Sequence, residues 1–115
     1  MALSLVVIAC SPPAERLLLE QFFAASRLRD RTALQQIATT MFEPREQGTI
    51  AAFDITNVDT RRDGERELKD VTVSAPVRLP SRATVQQTLV VRMEKIGGRW
   101  LITSVKPSSL TPQNN

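Results

Sequence analysis

Val71-Thr72-Val73-Ser74-Ala75-Pro76-Val77-Arg78-Leu79 is the stretch on which the fold turns. Its side chains alternate: Val71, Val73, Ala75, Val77 and Leu79 fall on one side of an extended chain. Thr72, Ser74, Pro76 and Arg78 fall on the other. That pattern describes a strand with one buried and one solvated face. Pro76 has no N–H to give to a ladder, which predicts an edge position or a bulge, and Pro80 stops the strand. Beyond it, residues 83–95 form a long strand with Val85, Leu89, Val91 and Met93 on one face. Gly97-Gly98 then fits a two-residue turn of the primed type, which requires positive φ, and Arg99–Lys106 returns as the last strand. The register set by this turn opposes Ile96 to Arg99, Lys95 to Trp100 and Met93 to Ile102. It lays the Lys95 stem on the Trp100 ring.

Towards the N-terminus the pattern changes. Ile50 to Ile55 is a short apolar run and reads as a strand. Asn57 to Glu67 carries charges of alternating sign around Gly64 and reads as a loop or hairpin tip. Before Gly48 the period is 3.6. Leu18, Leu19, Phe22, Phe23 and Ser26 make a helical stripe over residues 14–29, flanked by Leu17 and Ala25. Asp30 is a good N-cap for a second helix over 31–41, with Leu34, Ile37, Ala38 and Met41 inward and Pro44 beyond its end. Helices followed by antiparallel strands mean an α+β fold, not an alternating α/β one.

The chain of 115 residues is long enough for one small domain. With 42% apolar and 23% charged residues it is ordinary for a folded globular chain. One cysteine excludes an internal disulfide or a Cys-rich zinc site, and the absence of histidine removes imidazole chemistry. The net charge of +3 is not a nucleic-acid signal. Twelve arginines and three lysines are scattered among acids, as in Arg29-Asp30-Arg31, and aromatics are only 4%. No nucleic-acid partner is expected.

Leu3 to Ala9 is uncharged and almost wholly apolar, and Cys10 follows it. Val7-Ile8-Ala9-Cys10 resembles the lipobox of bacterial lipoproteins, in which the cysteine thiol receives a diacylglycerol and a peptidase cuts before it. The resemblance implies a cleaved signal peptide remnant at 1–9, a lipidated tether at 10–13 and a lipid anchor on Cys10. Each buried CH₂ of such an anchor contributes about 0.8 kcal/mol. Ser11-Pro12-Pro13 suits a tether, because proline continues neither a helix nor a central strand. The run is half the ~20 residues of a membrane span. No Lys or Arg precedes Arg16, so the charged region of a signal peptide would require a start upstream of Met1. The alternative is a strand over residues 3–9, with Cys10 a buried thiol. The lipobox implies a bacterial cell envelope location. Ser11 after the cysteine implies, by the same resemblance, the outer membrane facing the periplasm in a host with two membranes.

The body, residues 14–107, resembles the nuclear transport factor 2-like, or cystatin-like, superfamily. The stretch that carries this is Val90-Val91-Arg92-Met93-Glu94-Lys95-Ile96-Gly97-Gly98-Arg99-Trp100-Leu101-Ile102, a long strand, a tight glycine turn and Arg-Trp-Leu-Ile. The opening helix with Phe22-Phe23 is also similar. The resemblance implies two N-terminal helices packed on a curved antiparallel sheet of three to four strands, a cone with a pocket. Enzymes of that superfamily place Asp, His or Tyr in the pocket. Here only Asp54 is a carboxylate inside an apolar strand, and a solvated strand residue is the simpler role for it. Trp100 is a candidate for a pocket or partner surface, beside its ordinary role as a half-buried hairpin residue. Residues 108–115 form a polar tail. The expectation is a membrane-anchored extracytoplasmic binding module without catalysis, cofactor or metal. It would take a small apolar ligand in the cone or an envelope protein on the open sheet face, or form a homodimer through that face. The alternatives are a small isomerase or lyase using Asp54 and a soluble cytosolic interaction domain with residues 3–9 as a strand.

Overall fold

The computed structural model describes residues 14–108; residues 1–9, Cys10 and the end of the polar tail lie outside them. Two helices, α1 (Ala14–Leu28) and α2 (Arg31–Ile37), precede five strands: β1 (Thr49–Ile50), β2 (Asp54–Asp63), β3 (Arg66–Arg78), β4 (Thr84–Ile96) and β5 (Arg99–Pro107). The strands form one antiparallel sheet, strongly curled around the helices into a half-barrel. The fold is α+β, as the order of periodicities requires.

The sheet has four rows, because β1 and β2 lie end to end along the same edge of β3. Thr49 and Ile50 face Arg78 and Val77, whereas Asp54 to Asp63 face Ser74 to Arg66. The expected single strand from Ile50 to Ile55 is thus broken at 51–53, where Phe53 turns into the core. Ala75 and Pro76 pair on that edge with neither strand, although both pair with β4. The proline, which has no amide hydrogen, falls in that gap. It marks a gap beside a central strand instead of an edge strand.

Asn57 to Glu67, read as a loop or hairpin tip, is the end of the β2–β3 hairpin, with more of it paired than a loop would be. Both arms are ladder, and only Gly64 and Glu65 make the turn. Positive φ at Gly64 alone (66°) is the pattern of a type II′ turn. The charges belong to paired strands because they match across them: Arg62 meets Glu67 and Arg61 meets Asp70. At the other hairpin Gly97 and Gly98 both have positive φ (61° and 81°), as a type I′ turn demands. The register is the expected one, with Ile96 opposite Arg99, Lys95 opposite Trp100 and Met93 opposite Ile102. A bulge at Thr103 shifts the ladder beyond that point.

Helix α1 ends with Arg29 in the left-handed region (φ 56°). Asp30 N–H donates to Ala25 O and Arg29 N–H to Ser26 O, a Schellman arrangement. Asp30 then caps α2, its carboxylate accepting from the Ala33 amide at 3.1 Å. Helix α2 stops at Ile37, not at residue 41. Ala38 is extended and bridges in parallel to Ile102, and Thr39 N–H donates to Ile102 O, so pairing with the edge of β5 overrides helix continuation.

Leu19, Phe22 and Phe23 of α1 pack on Val71, Val73, Ala75, Val77, Leu89, Val91 and Met93 of the sheet. Phe23 is the hub of an edge-to-face aromatic cluster, with ring centroids 5.3 Å from Phe22, 5.7 Å from Phe42 and 5.6 Å from Phe53. Such pairs each add about 0.5–1.5 kcal/mol beyond area burial. Ser26 is buried, but its hydroxyl accepts the Phe42 amide at 3.1 Å, tying α1 to the segment after α2. Leu17, placed beside the stripe by period alone, is 46% exposed and outside this core.

Candidate functional site

The core face of the sheet carries one polar constellation, where α1 begins. Lys69 points to the same side as Val71, and its ammonium lies 2.7 Å from Glu15 Oε2. The same ammonium sits 4.4 Å above the centre of the Trp100 ring. The cation over the Trp100 ring is that of Lys69, while the ammonium of Lys95, opposite Trp100 in the ladder, reaches Glu67 at 3.5 Å. Each side chain of the Glu15–Lys69 pair is only 18% exposed. The hydrogen bond from Lys69 holds the Glu15 carboxyl below the usual carboxylate range.

The outer face carries a larger polar array. The ladder places Asp59, Asp70, Arg92 and Ser104 in one row and Arg61, Leu68, Glu94 and Leu101 in the next. Asp70 accepts from Arg92 Nε at 2.9 Å and Nη2 at 3.1 Å, a bidentate pair, and also from Arg61. Glu94 accepts from Arg66 at 2.7 Å and from the bulged Thr103 hydroxyl at 2.9 Å. Asp70 and Glu94 are both held below the ordinary carboxylate range, by the Arg92 bond in the first case and the Arg66 bond in the second. Arg92 and Arg66 are raised by the same partners. Arg92 separates two shallow clefts. One, of about 290 Å³, is walled by Arg61, Arg62, Asp63 and Arg92 over Leu68. The other, of about 120 Å³, lies between Asp70, Val90, Arg92, Ser104 and Lys106. A third, more apolar groove of about 340 Å³ runs along α2 past Leu34 and Ala38 to Met41.

Asp54, the one carboxylate considered as a base, is the exposed first residue of β2, opposite Ser74. It lines none of these three clefts. Trp100 is half-buried and engaged by Lys69. Cys10 lies outside the described residues. Among the described residues no group of three or more His, Cys, Asp or Glu is placed to hold a metal ion. Nor is any helix among them long and apolar enough to cross a membrane. Sequence reasoning missed Lys69, Asp70, Arg92 and Glu94. The signal was the β3–β4 register: once the turn over 79–83 is placed, Asp70 falls opposite Arg92.

No family model matches the chain, and neither a curated protein nor a solved structure is similar to it.

Proposed function

We propose that this protein is a lipid-anchored binding module of the bacterial cell envelope, without catalysis, that presents the outer face of its sheet to a protein partner. The observation that carries the anchor is the place of the only cysteine, at the end of Val7-Ile8-Ala9-Cys10 and four residues before α1 begins. A protein partner is favoured over a small apolar ligand because Leu19, Phe22 and Phe23 fill the concave side. The exposed Asp54 lends no support to an isomerase or lyase reading.

The test is the intact mass of the protein from its native host, with membrane fractionation. The expected species begins at Cys10, carries added acyl mass and pellets with membranes. Cys10→Ala is expected to release it from the pellet with its unfolding midpoint unchanged. An unmodified chain that keeps residues 1–9 and stays in the supernatant would overturn the proposal.

A further inference from the structure

The geometry of α1 fixes which end of the molecule meets a bilayer. At its start Glu15 reaches Lys69, and through Lys69 the Trp100 ring. At its end Arg27 donates to Ile50 O at 2.8 Å, and Ile50 lies opposite Val77. The helix therefore runs in the same sense as β3, its first turn lying between Lys69 and Phe53, to whose carbonyl Arg16 donates at 3.4 Å. Its N-terminus points to the end of the sheet that carries both glycine turns, Gly64-Glu65 and Gly97-Gly98. The turn joining β3 to β4, residues 79–83, is at the opposite end.

Lys69 is five residues from Gly64, about 17 Å of strand, and Trp100 is two from Gly98, about 7 Å. From Cys10 to Ala14 the chain spans at most about 14 Å when fully extended. A lipid on Cys10 thus cannot lift the domain clear of the bilayer while the hairpins project past the start of α1. We infer that the hairpin end, Asp63–Arg66 with Ile96–Arg99, rests on the lipid headgroups and that the β3–β4 turn is held about 40 Å away, the length of a 13-residue strand. This rests on the lipid anchor proposed above.

The chemistry of the tip fits that occupant. Ile96 is 45% exposed at the turn, opposite Arg99, whose guanidinium donates to Gln36 O at 3.1 Å, while Lys95 on the other face pairs with Glu67. The acids Asp63, Glu65, Glu67 and Glu94 balance the cations Arg62, Arg66, Lys95 and Arg99. The surface so described is a zwitterionic one, and salt has little to screen.

Trp100 is the only tryptophan, so it reports position without a label. The full chain with its acyl groups is placed in phosphatidylcholine vesicles containing dansyl headgroups, and energy transfer from tryptophan is measured. Transfer from Trp100 is expected to exceed, at least threefold, transfer in the double variant Trp100→Phe, Ser81→Trp, whose tryptophan sits on the far turn. Equal transfer, or the reverse order, overturns the orientation. The same conclusion is checked on the unaltered chain by amide hydrogen exchange. Vesicle attachment is expected to slow exchange at 63–66 and 96–99 and leave 79–83 unchanged; slowing at 79–83 alone, or at none of these, overturns it. If the native protein carries no acyl mass, the anchor proposal fails by itself. A maleimide phospholipid on the Cys10 thiol then supplies the tether, and the same two readouts decide the orientation.

Discussion

Lys69 serves two partners with one charge, and its loss would be felt by both. Lys69→Met would leave the Glu15 carboxylate, 18% exposed, without its cation and the Trp100 ring without its cover. The expected cost is about 1–2 kcal/mol, more than an exposed ion pair and less than a fully buried one. It would be read as a lowered urea midpoint together with a changed Trp100 emission. Glu15→Gln should cost less, and the double variant less than the sum of the two, because the sites share one interaction. Asp70 gives a pH signature. Its folded pKa lies below its unfolded one, so the unfolded chain binds more protons across the interval between them. Its contribution is present above the ordinary aspartate pKa of about 4 and is lost as pH falls through the lower, folded value. The expected result is that Asp70→Asn flattens the loss of thermal stability below about pH 4 while lowering stability at pH 7. At this scale the sequence was hard to read. Residue types are visible in a string, but Lys69 and Glu15 are 54 positions apart and meet only through the docking of α1.

Elements were read better, where one local signal decides. Alternation from Val71 to Val77, the Gly97-Gly98 turn and the Asp30 cap each act within a few residues, and each stands as expected. The differences share a cause, since tertiary pairing decided them. Helix α2 ends early because Ala38 and Thr39 find Ile102, and the charged 57–67 end of the β2–β3 hairpin is more paired than a loop would be because its charges match across strands. Gly48 shows how far context can outweigh conformation. Its φ is +102°, and a Cβ there would lie 2.4 Å from Arg78 O and 2.9 Å from Val77 Cγ1. Gly97 also has positive φ, but a Cβ on it would meet nothing within 4 Å. Gly97→Ala should therefore cost about 1 kcal/mol, the left-handed penalty alone. Gly48→Ala should cost about 3 kcal/mol or more, because strain and a backbone clash add. Denaturant unfolding of the two variants compares them directly, and equal losses would refute the clash.

For the whole molecule, the α+β order and the curl of the sheet around α1 follow from a change of period at Gly48 and from one apolar face per element. The outer face was not legible in the same way. It has no apolar stripe to announce it, and its array of Asp70, Arg92, Glu94 and Arg66 exists only once four rows are in register. The pairing of β2 with β3, β3 with β4 and β4 with β5 also has a kinetic meaning. Each of these strands lies beside its neighbour in the chain, through turns of two to five residues. Closing such turns involves little loop entropy, and proteins dominated by local contacts cross their folding barrier quickly. The sheet can zip outward from three turns without waiting for a distant partner. Contacts far apart in sequence, such as Glu15 to Lys69, Gln36 to Arg99 and Ala38 to Ile102, are those that dock the helices, so helix docking is the step set to limit the folding rate. Until they dock, the outer edge of β5 stays open, because Ala38 and Thr39, which follow α2, are what pair with it.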